Sequence, residues 1–193
     1  MAGSSWKACL PSAIHMTEFF LTTARLTLRD MRVSDEDDFV ALSQQPGYQT
    51  YYDEADGQPE HYRYLTRLFV EQAAQCPRLA YQLAVIDNEF GNFIGIACLR
   101  MEPRQRAAIG FGLHPHWQGQ GLMREAMQAL INFAVKEYGL DYIYAETLQE
   151  NSAAVALCRA LGLSPCAGLR GQRYFKGRNW QTLTLEMRMA DDA

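Results

Sequence analysis

The chain of 193 residues has no long hydrophobic run and no concentration of charge of one sign. A membrane-spanning helix needs about 18 or more consecutive apolar residues, and no segment approaches that length. The 18 basic and 22 acidic residues give a formal net charge of −4 and form no basic stripe. This balance argues against nucleic acid or an anionic membrane as a partner. We therefore expect a small molecule or a peptide as the ligand.

Cysteine is present, but not in any pattern that indicates a disulfide framework or a metal site. The five cysteines are scattered, with no CxxC pair and no Cys/His pair at metal-ligand spacing: Cys9, Cys76, Cys98, Cys158 and Cys166. Such usage favours a reducing compartment. Residues 1–20 also lack the basic start and apolar run of a secretion signal. The sequence predicts a cytoplasmic protein without a metal, in which residues 1–20 form a loosely attached arm.

The chain lacks internal repeats, low-complexity tracts and Pro/Gly/Ser linkers, so residues 21–190 are expected to form one domain. Apolar alternation predicts strands at 24–31, 81–87, 92–101, 107–115 and 140–148, and a closing hairpin in RYFKGRNWQTLTLEMRM. Apolar residues at helical spacing, with capping residues, predict helices at 34–44, 59–75, 122–139 and 151–161. The order of these elements indicates a mixed α/β domain around one sheet.

Two glycines stand directly before a helix in HWQGQGLMREAM, residues 116–127. A strand that passes through a glycine-rich turn into a helix directs unpaired N–H groups and the positive helix end at one point, which suits a phosphate. Gly119 and Gly121 would let the phosphate reach the backbone, and Arg124 adds a cation. A glycine pair alone equally fits a connection without a ligand. The P-loop lysine and an N-terminal GxGxxG are missing, which argues against ATP and NAD.

The run QGQGLM at 118–123 resembles the Q/RxxGxG/A acyl-CoA signature of the GNAT superfamily of N-acetyltransferases, with Met123 in place of the usual small residue. IGFGLHPHWQGQGLMREA is similar to the strand, turn and helix of the branch that acetylates ribosomal-protein N-termini. Asn151 followed by ALGL resembles the Asn and LGF motif of that branch, and ARLTLRDMRVSDEDDFVAL resembles its opening strand and helix. The resemblance spans residues 23–188 in order.

The resemblance implies a single GNAT-like domain with a mixed, mostly antiparallel sheet of six to seven strands, splayed in the middle, and about four helices. It also implies acetyl-CoA as the donor. The pantetheine arm would pair with the main chain of Phe111, Gly112 and Leu113, and Asn151 would bond its amides, although Asn151 can serve as a helix cap at the same time. The pyrophosphate would be held by the amides of Gln118, Gly119, Gln120, Gly121, Leu122, Met123 and Arg124.

The implied reaction is direct attack of a primary amine on acetyl-CoA, assisted by a general base and by an acid for the departing thiolate. Many family members carry that acid as a tyrosine four residues before the LGF glycine, where this chain has Cys158. A thiol can donate a proton, but a small cysteine on a helix face is more often buried packing.

No side-chain base is evident, since Ala154 and Ala108 stand where the family often has a serine and a carboxylate. We take Cys158 and Glu102 as the catalytic candidates. Further candidates by position alone are His114, His116, Glu146, Asp53 and Glu54.

A site without a dedicated base suits amines of low pKa. At pH 7, deprotonating an α-amino group costs about 1.4 kcal/mol and a lysine about 4.6 kcal/mol. This favours a peptide N-terminus, an amino acid or an aminoglycoside, although a water relay would weaken the preference. A cluster of tyrosines and carboxylates falls between the first two helices. It either shapes a pocket for a cationic amine or forms a solvated loop over core tyrosines. Its members are Tyr48, Tyr51, Tyr52, Tyr62 and Tyr64, with Asp53, Glu54 and Asp56.

Two functions stay open at this point. The first is an N-acetyltransferase, and the alternative is an acyl-CoA-binding sensor that has lost turnover, as the residues at Cys158, Ala154 and Ala108 allow. Either could act as a monomer or a homodimer.

Overall fold

The structure is a computed structural model that describes residues 18–166 and 171–189. Its nine strands are β1 Phe20–Thr22, β2 Leu26–Asp30, β3 Ala80–Asp87, β4 Phe93–Glu102, β5 Arg106–Leu113, β6 Tyr142–Leu148, β7 Ser164–Pro165, β8 Gln172–Phe175 and β9 Arg178–Arg188. The α-helices within these residues are α1 Glu36–Ser43, α2 Pro46–Gln49, α3 Pro59–Ala73, α4 Leu122–Tyr138 and α5 Ser152–Ala160. Most of the predicted N-terminal arm, residues 1–17, lies outside the described residues.

The strands form one sheet in the order β1-β2-β3-β4-β5-β6-β9-β7, and β8 pairs with β9. The one parallel pair in the described sheet is β5 with β6, and it is short, because residues 106–108 pair with 142–144 and the register goes no further. The predicted mixed, mostly antiparallel sheet that splays in the middle is thus confirmed. The sheet is wider than expected because it also contains β1 and β7, which have three and two residues, too few for alternation to reveal.

Two hydrophobic layers enclose the sheet, one on each face. Alternate residues of a strand point to opposite faces, so Leu83 and Val85 join one layer and Ala84 joins the other. Helices α4 and α5 pack on the first face, and α1 and α3 pack on the second. Within the described residues, no helix combines the length and the apolar character that crossing a membrane requires.

The ends of α4 follow the sequence prediction, whereas the start of α1 departs from it. Helix α4 begins after Gly121 and ends before Gly139, and both glycines adopt left-handed φ angles, of 75° and 60°. The helix predicted from Ser34 begins instead as a 3-10 turn, Val33–Asp35. The buried Asp35 carboxylate accepts the Arg32 N–H at 2.8 Å and both Arg29 Nη groups at 2.7 and 2.8 Å, so it fixes this turn.

Candidate functional site

A cavity of about 490 Å³ lies where β5 and β6 separate. Its walls come from the C-terminal ends of these two strands, the turn before α4, the start of α5, the α2–α3 segment and the β8–β9 hairpin. Ten of the eleven residues predicted to hold CoA line it, and Gln120 does not. The structure thus brings the predicted donor residues together around one space, and their binding of CoA stays a prediction.

The edge of β5 presents main-chain groups to this cavity. In the antiparallel pair with β4, the His114 N–H donates to the Ile94 carbonyl at 2.8 Å. Because the direction of hydrogen bonding alternates along a strand, Gly112 also faces β4, and the N–H and C=O of Phe111 and Leu113 face the cavity. Gln118 Nε2 donates to the Leu113 carbonyl at 3.0 Å. The N–H groups of Phe111 and Leu113 are therefore the donors aimed at a ligand.

Gly112 leaves room for the ring of Tyr48 rather than for a ligand. A Cβ at Gly112 would lie 2.6 Å from the Tyr48 hydroxyl oxygen and 2.7 Å from Cε2. At Gly110 the nearest atom would be the Cβ of Cys98, at an ordinary 3.8 Å. The Tyr48 side chain is buried, stacks on Tyr52 with ring centroids 5.3 Å apart, and lines the cavity. Burial raises the pKa of Tyr48 well above its ordinary value, so its hydroxyl stays protonated.

The backbone conformation of the turn before α4 requires glycine at two positions. Gly119 and Gly121 have φ angles of 74° and 75°, in the left-handed region that a residue with a Cβ adopts only at a cost of about 1–2 kcal/mol. Gly121 is the N-cap of α4 and has no side chain to cap the first turn, so the N–H groups of that turn and the positive helix end stay directed at the cavity. Arg124 lines the cavity beside them. This arrangement fits an anionic group such as a pyrophosphate.

Arg25 stabilises this turn by hydrogen bonds, a role that the sequence pattern did not predict. Its Nη1 donates to the Gln120 carbonyl at 3.0 Å, and its Nε donates to Glu125 at 2.7 Å. Glu125 also accepts the Arg25 backbone N–H at 3.0 Å and the Thr23 hydroxyl at 2.7 Å. Burial alone would raise the pKa of Glu125, but these hydrogen bonds outweigh it and lower the pKa. The partners are about 100 residues apart in the chain, so no local pattern could indicate these hydrogen bonds.

Asn151 is shown to act as a helix cap. Its Oδ1 accepts the Ala154 N–H at 3.2 Å at the start of α5. The side chain also lines the cavity. The two predicted roles are therefore compatible, since the cap uses the oxygen and the side-chain NH2 group is the one that would donate to a ligand carbonyl.

Neither catalytic candidate lines the cavity, although Ala154 and Leu157, which neighbour Cys158 on α5, do. Cys158 is fully buried in the core layer beneath α4 and is not among the lining residues, and burial raises the pKa of its thiol to about 11. Glu102 lies at the end where β5 and β6 still pair. There it accepts the Tyr144 hydroxyl at 2.5 Å and lies 3.7 Å from Arg106.

Of the further candidates, Glu146 alone lines the cavity. His114 accepts the His116 N–H at 3.2 Å, and Asp53 accepts the N–H groups of residues 55 and 56 at 2.7 and 3.0 Å, so both fix turns. Ala108 pairs with Tyr144, and two residues further along β6 Glu146 therefore lies on the same sheet face as Gly110 and Gly112. This is the face that Tyr48 covers.

The α2–α3 segment and the β8–β9 hairpin close this side of the cavity. The Tyr51 hydroxyl donates to the Glu150 carbonyl at 3.0 Å, and Lys176 Nζ donates to the Gln49 carbonyl at 2.7 Å. Of the five tyrosines predicted for the acceptor side, the three that line the cavity are Tyr48, Tyr51 and Tyr52. Tyr62 is buried beneath them and Tyr64 is exposed, so part of the cluster lines the cavity, and its binding of a cationic amine stays a prediction.

Known proteins share this sequence pattern and this fold. A family model for the acetyltransferase (GNAT) domain matches residues 25–164. The uncharacterized N-acetyltransferase p20 of Bacillus licheniformis is 28% identical over 166 residues, which cover 82% of this chain and 89% of that protein.

Two solved structures show the same fold at low identity. The ribosomal-protein-S5-alanine acetyltransferase of Vibrio fischeri has a TM-score of 0.73 at 19% identity, covering 88% of this chain and 96% of that one. The microcin C7 self-immunity acetyltransferase MccE, solved with acetyl-CoA and AMP, has a TM-score of 0.75 at 14% identity, covering 93% and 98%. Because the family model covers well over half of the chain, the protein belongs to the GNAT family and is an N-acetyltransferase.

Proposed function

We propose that this N-acetyltransferase moves the acetyl group of acetyl-CoA to a primary amine by direct attack, with both substrates bound in one cavity. One observation carries the proposal. A single cavity joins the main-chain edge of β5 and the N-terminus of α4 to a wall of side chains, with Glu146 and Tyr48 on the same sheet face at the junction. A ternary complex needs both kinds of surface within reach of each other.

The donor half fits CoA in shape and charge. The first turn of α4 and Arg124 would hold the pyrophosphate, and the N–H groups of Phe111 and Leu113 would meet the amides and the thioester carbonyl of the arm. A donor directed at the thioester oxygen stabilises the negative charge that develops there, and one such donor is typically worth about 3–4 kcal/mol. MccE, which has the same fold, was solved with acetyl-CoA bound.

Glu146 is the side chain that we assign as general base. As the amine nitrogen forms its bond to the acetyl carbon, its proton must leave, and the Glu146 carboxylate takes it directly or through one water. Glu146 lines the cavity, is exposed, and lies on the face that carries the acceptor wall. A carboxylate in this place also attracts a cationic amine before it loses its proton.

Tyr48 is the group that we assign as hydrogen-bond donor and acid, in place of Cys158. When the carbon–sulfur bond breaks, the departing thiolate needs a hydrogen bond or a proton. Burial raises the pKa of Tyr48, so its hydroxyl stays protonated and can donate a hydrogen bond to the thiolate, while the same shift makes it a weaker acid. Its position over Gly112 places it beside the strand edge that would hold the thioester. Cys158 is also protonated, but its thiol lies in the core.

A free-thiol assay with acetyl-CoA tests this function against peptide N-termini, amino acids, polyamines and aminoglycosides. We expect thiol release that depends on the amine, and a fall in kcat of about 10²–10⁴-fold for Glu146→Gln and for Tyr48→Phe. Cys158→Ala, a change of similar size outside the cavity, should retain kcat within about twofold.

Two outcomes would contradict the proposal in different ways. Stabilisation by acetyl-CoA in a thermal-shift measurement, without thiol release for any amine, would indicate the acyl-CoA-binding sensor instead. Loss of turnover in Cys158→Ala with retention in Tyr48→Phe would return the acid role to Cys158.

A further inference from the structure

The acceptor side of the cavity carries two side chains of opposite charge. Among the described lining residues, the charged ones are Arg124 at the donor end, and Glu146 and Arg173 on the acceptor side. From this pair we infer that the acceptor carries a carboxylate close to its amine, and that Arg173 recognises it. The inference rests on the proposed function and names the substrate class of the same site.

Arg173 is held on a strand rather than on a free loop. It lies on β8, opposite Trp180 of β9. The hairpin is fixed to the α2–α3 segment by the Lys176–Gln49 hydrogen bond and by the contact of the Tyr51 ring with Trp180. The base of the Arg173 side chain is therefore placed by backbone pairing, which suits a recognition residue.

The guanidinium of Arg173 has donors to offer a ligand. Its ion pair with Asp56 is 3.7 Å long, beyond hydrogen-bonding distance, and 53% of the side chain is exposed. Guanidinium presents five N–H donors in a planar fork that matches a carboxylate with two parallel hydrogen bonds. A ligand carboxylate entering the cavity can thus form the close pair that Asp56 does not form.

Opposite charges in one cavity select an acceptor with both charges. Its amine would face Glu146 and its carboxylate would face Arg173, whereas a polyamine would bring a second cation toward Arg173 and be disfavoured. The carboxylate has two possible sources, the main chain of a free amino acid or an acidic side chain near a peptide N-terminus. Both offer the same chemistry, and matched acceptors separate them.

Two pairs of acceptors that differ by one charge provide the test. L-alanine is compared with L-alaninamide, and alanylglutamic acid α-amide with alanylglutamine α-amide, as substrates of the full chain. We expect kcat/KM to be about 10–100-fold higher for the charged member of at least one pair, the size of a hydrogen bond to a charged group. Alaninamide loses its ammonium proton more easily than alanine, so a preference for alanine would report recognition rather than amine reactivity.

Variants connect the preference to Arg173. Arg173→Gln should abolish the preference, because the KM of the charged acceptor rises to that of the neutral one. Asp56→Asn should increase the preference, because it removes the competing carboxylate. The matched control is Arg178→Gln on the same hairpin, because Arg178 is also 53% exposed and 3.6 Å from a carboxylate, that of Glu150, but does not line the cavity.

The outcomes separate the inference from the function on which it rests. Equal kcat/KM within both pairs overturns the inference and leaves acetyl transfer intact. A preference that survives Arg173→Gln, or that Arg178→Gln removes equally, overturns the role of Arg173. Absence of transfer to every amine, with acetyl-CoA bound or not, overturns the proposed function and the inference with it.

Discussion

The two halves of the cavity are built from different parts of the polypeptide. The donor half consists mainly of main chain from one stretch, residues 111–124, where a strand edge, a turn with two left-handed glycines and a helix N-terminus follow in order. The acceptor half consists of side chains from three distant stretches, and its polar groups include Tyr48, Glu146 and Arg173.

The backbone fold determines the donor half, whereas side-chain substitutions can vary the acceptor half. Main-chain amides at a helix N-terminus exist in any sequence that forms the turn, so the donor half needs only glycine at two positions and the correct register. A side chain of the acceptor half can be replaced without disturbing a backbone hydrogen bond. We therefore expect the donor chemistry to be shared across the fold and the acceptor specificity to belong to this chain.

Gly112→Ala is expected to have the largest effect, because it would disturb both halves at once. Gly112 belongs to the donor strand, and the ring of the acceptor-side residue Tyr48 packs against it. The new Cβ would lie 2.6 Å from the Tyr48 hydroxyl, so the ring and α2 must shift. We expect a loss of about 1–3 kcal/mol in the free energy of unfolding, measured in urea. Turnover should fall by about 10²-fold, because Tyr48 is displaced from the reacting atoms.

Gly110→Ala is the matched control on the same strand and the same face. Its Cβ would meet the Cβ of Cys98 at 3.8 Å, an ordinary contact, so we expect stability to be retained. Equal losses of stability and turnover in the two variants would contradict the contact between Tyr48 and Gly112.

Most of the fold could be predicted because its long elements carry clear periodicity. The bounds of α4 follow from an apolar stripe between two glycines, and β3, β4 and β6 follow from alternation. Short elements escaped prediction. Helix α2 has four residues and β7 has two, so neither spans a full period of its pattern. Their positions depend on tertiary packing.

The sequence predicted the main-chain half of the site more fully than the side-chain half, where Glu146 and three of the five tyrosines line the cavity. All of the predicted donor residues except Asn151 come from one stretch, residues 111–124, and ten of the eleven line the cavity. The predicted catalytic pair, Cys158 and Glu102, was chosen by position along the chain, and neither lines the cavity. Cys158 faces the core, and Glu102 lies at the end where β5 and β6 still pair, and the sequence pattern shows neither fact. Arg25 and Arg173 act across the fold, so no spacing in the sequence indicates them.

Gly119→Ala tests whether the donor half depends on backbone conformation. The substitution places a Cβ at φ 74°, with no atom within 4 Å, so it strains the backbone without a clash. We expect a loss of about 1–2 kcal/mol in unfolding free energy, together with a raised KM for acetyl-CoA. Gly91→Ala is the control, because Gly91 also has φ 74° and open surroundings but lies in the β3–β4 turn. If both variants raised the KM for acetyl-CoA equally, the turn at Gly119 would have no special role.

Glu125→Gln tests how much side chains contribute to the donor half, because the Arg25–Glu125 pair supports that half through side chains. The folded-state pKa of Glu125 is lowered, so the carboxylate stabilises the fold above the ordinary glutamate pKa, and this contribution is lost as the pH falls through the folded value. The two partners are partly exposed, so we expect the variant to lose at most about 1 kcal/mol in the free energy of unfolding, measured in urea at pH 7, and less toward pH 3.

Glu60→Gln is the control. It removes an exposed i,i+3 pair with Arg63 and should lose less unfolding free energy at pH 7. The KM for acetyl-CoA should rise less in Glu125→Gln than in Gly119→Ala; the reverse order would mean that side chains, rather than main chain, hold the donor.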